Sequence, residues 1–119
     1  KKRIHIVDAK VLVMGLAFKE NCPDVRNTRV IDVIHALQHY HADVDVWDPW
    51  VNGDEVNKEY DFDLIKKPDK GCYDAIILCV AHDEFLSIEP AEIQSYCKDN
   101  HVIYDVKGVL DESIINARL

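Results

Sequence analysis

Runs of apolar residues with strand character punctuate the chain, and the stretches between them carry helical periodicity. Val11-Leu12-Val13-Met14 is short and uninterrupted, the pattern of a strand covered on both faces at the centre of a parallel sheet. Gly15 ends it, and a charged loop follows. Val30, Val33, Ile34 and Leu37 then fall at i, i+3, i+4 and i+7, which predicts a helix with Asn27 or Thr28 as its N-cap. Residues 43 to 47 alternate polar and apolar as a second strand, with Val44 and Val46 on one side, and Asp48-Pro49 stops it. The run YDAIILCV from Tyr73 to Val80 is the third strand, again apolar enough for burial on both faces. Asp83 opens a short helix through Leu86, and Pro90, at a first helical position, opens another reaching Lys98. His101 to Tyr104 is the fourth strand, and Leu110 to Ala117 predicts a closing helix that starts near Asp111. Between the second and third strands, residues 52 to 70 are highly charged. There Glu55 to Tyr60 reads as one helical turn or two, Phe62 and Leu64 as a short edge strand, and the whole as a solvated, mobile connection.

Strands alternating with helices imply an α/β fold, a Rossmann-like three-layer sandwich with a mostly parallel sheet and helices on both faces. Right-handed crossovers put the first strand centrally, the second on one side, and the third and fourth on the other. Loops 15–27, 48–51, 81–84 and 105–108 then share one rim at the carboxyl ends of the strands, where ligands bind in open sheets. Residues 10–119 form one domain on this reading. In residues 1–9, Ile4 and Ile6 alternate but the segment is too short to be an element, and it reads as the end of a linker.

The first loop carries Lys19, Glu20, Asp24 and Arg26 around Cys22-Pro23. A dinucleotide-binding turn needs clustered glycines so that backbone can approach a pyrophosphate. Here there is one glycine, and Phe18 and Lys19 add bulk where it would obstruct. A P-loop lysine motif is absent as well. An anion held here therefore takes its charge from Lys19 and Arg26. Asp48 stands about 20 residues beyond the loop, where a dinucleotide fold places a ribose-binding acid. Without the glycines, a turn-forming Asp-Pro is the favoured reading. His82 lies on the rim with neither an adjacent serine nor a paired acid in sequence to make it catalytic. Its open readings are a backbone or ribose contact, or no role.

Composition narrows the function further. A chain of 119 residues, 48% hydrophobic, has enough apolar content for a core. Its net charge of −8 lacks the basic footprint of nucleic-acid binding and would repel an anionic membrane surface. No apolar run approaches the roughly 20 residues of a spanning helix, and the basic start has no signal-peptide core. Cys22, Cys72, Cys79 and Cys97 show no framework spacing, and free thiols suggest a reducing, cytoplasmic setting. Cys79 reads as a small hydrophobe in a strand. His35 and His39 are one helical turn apart, but no further ligand completes a metal set, and a solvated helix end is expected.

GLAFKENCPDVRNTRV (residues 15 to 30) resembles the opening of the C-terminal domain of the UDP-glucose/GDP-mannose dehydrogenase family. The form with Asn-Cys-Pro-Asp and Arg-Asn-Thr is most similar to the branch acting on UDP-N-acetylhexosamines. The likeness continues through VDVWDPW (44 to 50), YDAIILCVAHDEF (73 to 85) and VIYDVKGVLD (102 to 111), in order and nearly throughout the chain. The resemblance implies a UDP-sugar-binding domain whose Phe18-Lys19 pair touches the sugar nucleotide. It also implies a substrate contact for Lys107, where the UDP-glucose branch often has arginine. Arg26 and Asp24 are expected as a half-buried pair fixing the loop, with ligand contact by Arg26 as the lesser reading. The family oxidises the C6 alcohol of a UDP-hexose to a carboxylate with two NAD⁺, for surface polysaccharide synthesis, commonly as a homo-oligomer. NAD and the cysteine nucleophile belong to an upstream domain, so Cys22 is not that nucleophile and the chain alone is expected to be inactive. The rival reading is a non-catalytic α/β binding or regulatory module. A receiver-like site would need acids at the end of the first strand, which instead reads Met14-Gly15-Leu16-Ala17.

Overall fold

The computed structural model describes residues 6–60 and 62–118; Ile4 lies outside them. Strand β1 (Lys10–Met14) is flanked by β2 (Asp43–Trp47) and β3 (Tyr73–Leu78), and β4 (Cys97–Asp105) and β5 (Ala117–Arg118) continue the sheet. The order is β2-β1-β3-β4-β5, and every described pairing is parallel. Period-two alternation along β1 divides the core into two. Val11 and Val13 join Ile34, Val46 and Val56 on one face, while Leu12 and Met14 join Ile76, Leu78, Phe85, Ile93 and Ile103 on the other. Helices α1 (Val30–His39) and α2 (Gly53–Tyr60) cover the first face; α3 (Asp83–Leu86) and α4 (Pro90–Ser95) cover the second. The three-layer arrangement and the central place of β1 agree with the sequence reading.

Helix α1 begins at Val30, so its N-cap is Arg29, beyond the Asn27 or Thr28 expected from the sequence. Thr28 Oγ1 accepts a hydrogen bond from Val30 N at 3.2 Å. The charged connection contains a helix of eight residues, at the upper end of the one or two turns expected. Asn52 Oδ1 accepts from Asp54 N and Glu55 N at 2.8 and 3.2 Å and opens α2, whose single fully buried residue is Val56. Phe62 and Leu64 lie outside any strand and pack on the core, and Ile65 N reaches the edge of β2, at Val46 O, 2.9 Å. Helix α4 stops at Ser95, short of Lys98, because the carbonyl of Tyr96 is claimed by Cys72 N and Tyr73 N at the start of β3.

The closing helix is replaced by a turn and a strand. Leu110 and Ile114 have helical spacing and both reach the core, but Asp111 Oδ1 takes Ser113 N at 2.9 Å and folds a turn. Asn116 then clamps the edge of β4, its Oδ1 accepting Ile103 N and its N donating to Ile103 O, both at 2.8 Å. Among the described residues no helix is long and apolar enough to cross a membrane.

Candidate functional site

The four loops named from the sequence meet at the carboxyl edge of the sheet, and buried acids join them. Gly15 sits at their centre with φ +99°, its N bonded to Trp47 O at 2.8 Å. An added Cβ would lie 2.6 Å from Val80 Cβ, so strand-end backbone, not ligand, occupies the space that glycine leaves. That excludes a pyrophosphate cradle here: the residues present do not fit a dinucleotide.

Asp48, at the end of β2, is an acceptor for three loops. Its Oδ2 takes Leu16 N at 2.7 Å, Ala17 N at 2.9 Å and His82 Nε2 at 2.9 Å, and its Oδ1 takes Trp50 N at 2.8 Å. The turn-forming role read from Asp-Pro is therefore part of a larger one. The reading that His82 has no paired acid is corrected. Its ring and the Asp48 carboxylate are both fully buried. Asn21 N donates to His82 Nδ1 at 2.9 Å, so Nδ1 carries the lone pair and Nε2 donates to Asp48. Both ring nitrogens are thus engaged within the protein, and the Trp50 ring stacks beside them with centroids 6.0 Å apart. Trp50 Nε1 in turn donates to Glu84 Oε1 at 2.7 Å.

A second strand-end acid repeats the device. Asp105, fully buried at the end of β4, accepts from Lys107 N, Gly108 N and Leu110 N at 3.1, 2.8 and 2.7 Å. The loop it folds presents Lys107, whose Nζ lies 3.1 Å from Glu20 Oε2. Glu20 Oε2 also accepts from Ala81 N at 3.2 Å. Loops 16–27, 81–84 and 105–108 are thereby tied through one carboxylate.

Lys19, beside Glu20, is exposed and has no ion-pair partner among the described residues; Phe18 is 56% exposed. Lys19 and Lys107 therefore belong to the same rim, as expected. The Arg26–Asp24 pair forms, Nε to Oδ1 at 3.1 Å, but it is exposed, with 78% of the Arg26 side chain accessible. The buried or half-buried guanidinium expected from the sequence is corrected accordingly, and a surface pair of this kind, screened by solvent, contributes little. Within that segment the loop is closed by Phe18 N donating to Asp24 O at 2.7 Å and by Arg26 N donating to Asp24 Oδ1 at 2.9 Å.

All four cysteines are free, and burial pushes the Cys79 thiol up to about 12, which suits packing and not nucleophilic chemistry. His35 and His39 are exposed on α1, and no cluster of metal-ligating side chains forms among the described residues.

The hydrogen bond from Ala81 N, with Lys107 adding to it, holds the Glu20 carboxyl below its ordinary value of 4.5. A depressed folded value means that the tie is complete above 4.5 and is lost as pH falls through the lower folded value. The Ala81 amide chemical shift is expected to titrate in that acid range, and Glu20→Gln to abolish the step. A step centred above 4.5 would contradict the sign.

The profile of the UDP-glucose/GDP-mannose dehydrogenase family, UDP binding domain, matches residues 12–112. The chain belongs to the UDP-glucose/GDP-mannose dehydrogenase family. Over its whole length it is 48% identical to a UDP-N-acetyl-D-glucosamine 6-dehydrogenase of Pseudomonas aeruginosa and 44% identical to one of Salmonella typhi. It spans 28% of the length of each. These relatives agree with the N-acetylhexosamine branch read from residues 21 to 28. A solved UDP-D-ManNAc dehydrogenase from Pyrococcus horikoshii superposes with a TM-score of 0.72 at 26% identity, over 97% of this chain and 26% of that one.

Sequence reasoning placed Phe18 and Lys19 on loop 15–27 and Lys107 on loop 105–108, where the structure has them. It missed Asp105 and Glu20 as organisers of the rim. An acid at the carboxyl end of a strand that alternates polar and apolar residues is the signal that marks Asp48, and the acid ending the run Val102-Ile103-Tyr104 marks Asp105.

Proposed function

We propose that this chain is the C-terminal, UDP-sugar-binding domain of a longer UDP-sugar 6-dehydrogenase. The single observation that carries this reading is the family match across residues 12–112 in a chain spanning 28% of its relatives' length. Residues 10–119 are the domain and 1–9 the end of a linker from an upstream NAD-binding domain. The substrate is a UDP-N-acetylhexosamine, and NAD⁺, held by the upstream domain, accepts the hydrides. The product uronic acid serves surface polysaccharide synthesis in the cytoplasm, and the full enzyme is a homo-oligomer.

Within that enzyme, this domain's residues bind and orient. Lys19, exposed and uncompensated among the described residues, supplies positive charge to the diphosphate. Phe18 offers an exposed ring to the sugar nucleotide. Lys107 adds a second ammonium, which must exchange Glu20 for the ligand. Arg26, already bonded to Asp24, has a smaller part. His82 acts through the backbone it holds and not through its buried ring. Fixing the substrate's diphosphate positions its C6 group for chemistry performed elsewhere.

Calorimetric titration of the chain with UDP, UDP-N-acetylglucosamine and NAD⁺ in parallel tests the reading. Weak binding of the two uridine nucleotides and none of NAD⁺ is expected, with no turnover of any UDP-sugar. Lys19→Ala should weaken UDP binding by about tenfold, the loss of one charge-assisted contact. Binding of NAD⁺ alone would reject the assignment.

A further inference from the structure

We infer that His82, oriented by Asp48, is a positioning residue that aims the Phe18-Lys19 loop at a nucleoside diphosphate. This rests on the ligand reading of Lys19 given above. The chain enters the loop from Gly15 and is held at both ends of the segment that carries Phe18 and Lys19. At the near end, Asp48 Oδ2 takes the amides of Leu16 and Ala17 at 2.7 and 2.9 Å. At the far end, His82 Nδ1 takes the amide of Asn21 at 2.9 Å. The same Asp48 oxygen bonds His82 Nε2 at 2.9 Å, so one carboxylate oxygen secures both ends, directly and through the imidazole.

Asn21 is in the left-handed region at φ +54°, a conformation that asparagine tolerates, and its side chain closes the far end from outside. Asn21 Oδ1 accepts from Asp83 N at 2.9 Å, at the start of α3. Residues 18 and 19 are exposed between two anchored ends, while Ala17 and the His82 ring behind them are buried. Imidazole suits this place because it accepts at one nitrogen and donates at the other, in fixed directions. Full burial, with both nitrogens used, leaves His82 no direct ligand contact.

Two variants separate the two halves of the ring. Asparagine can reproduce the acceptor at Nδ1, and glutamine the donor at Nε2. His82→Gln therefore keeps the Asp48 bond and loses Asn21; His82→Asn does the reverse. Each removes one hydrogen bond, the Asp48 bond buried and the Asn21 bond part-buried, so a merely structural role lowers stability and UDP affinity at least as much in H82N as in H82Q. The positioning role predicts UDP affinity about fivefold lower in H82Q than in H82N, one hydrogen bond's worth. Amide exchange at Asn21 should be fast in H82Q and protected in H82N.

Lys19→Ala is measured alongside. If it leaves UDP affinity unchanged, the ligand reading fails, and this inference with it. If it weakens binding while H82Q binds UDP as tightly as H82N or more tightly, this inference alone is overturned. Should both histidine variants fail to fold, the wild-type chain still decides. Its Asn21 amide should be protected from exchange and become more so with UDP. Exchange at the rate of an open loop, unmoved by UDP, would overturn the proposal.

Discussion

Asp48→Ala is expected to destabilise the chain by about 4 kcal/mol, since each buried donor left unpaired costs about 1–3 kcal/mol. Four donors lose their acceptor at once: the amides of Leu16, Ala17 and Trp50, and the His82 ring. Little water can replace it, because the side chains of Asp48 and His82 are fully buried. The Trp50 amide is only partly buried and recovers some hydration, which keeps the total below the sum of the four. Against the ~5–15 kcal/mol that holds an ordinary domain folded, such a loss leaves the variant marginal. Urea unfolding measures it as a lower midpoint at unchanged slope. Asp48→Asn retains the shape and one acceptor oxygen and should lose less. A loss below about 1 kcal/mol for the alanine variant would show that these bonds are readily replaced.

Gly15→Ala should be of similar size for a different reason. The new methyl would lie 2.6 Å from Val80 Cβ, 2.8 Å from Val80 N and 3.0 Å from Val80 Cα. Two of these are backbone atoms, and that backbone is fixed by the bond from Cys79 N to Met14 O at 2.9 Å. Overpacking of this kind costs about 1–3 kcal/mol, and a non-glycine residue at φ +99° adds about 1–2 kcal/mol. A melting temperature lower by about 10 °C or more is expected. Gly71→Ala separates the two contributions. Gly71 has φ +67°, but an added Cβ there meets nothing within 4 Å, so only the backbone strain remains. Equal losses at the two glycines would mean that the close approach of Val80 is not the cause.

These two positions bear differently on what a reader of the sequence could see. Gly15 ended an apolar run, and its place at a strand-to-loop turn followed from that. That it faces Val80, and so leaves no space for a pyrophosphate, did not. Asp48 was visible as the acid after an alternating strand, but its donors come from residues 16, 17, 50 and 82. The closing segment failed for a related reason. Leu110 and Ile114 are spaced as on a helix, yet a turn set by Asp111 delivers both to the core, and Asn116 spends its amide on β4.

By itself, the sequence determined the four main strands, the helix α1, the two-faced sheet and the family. The elements rest on residues close together in the chain, where periods of 2 and 3.6 decide which side chains face inward, and the family rests on the resemblance of four motifs spread along it. Only the tertiary structure decided how the rim is held. The Asp48–His82 and Glu20–Lys107 pairs join residues 34 and 87 positions apart, bridging loops that the sheet alone brings together. No local periodicity records such a meeting, because it depends on where whole strands end and not on which residues neighbour one another.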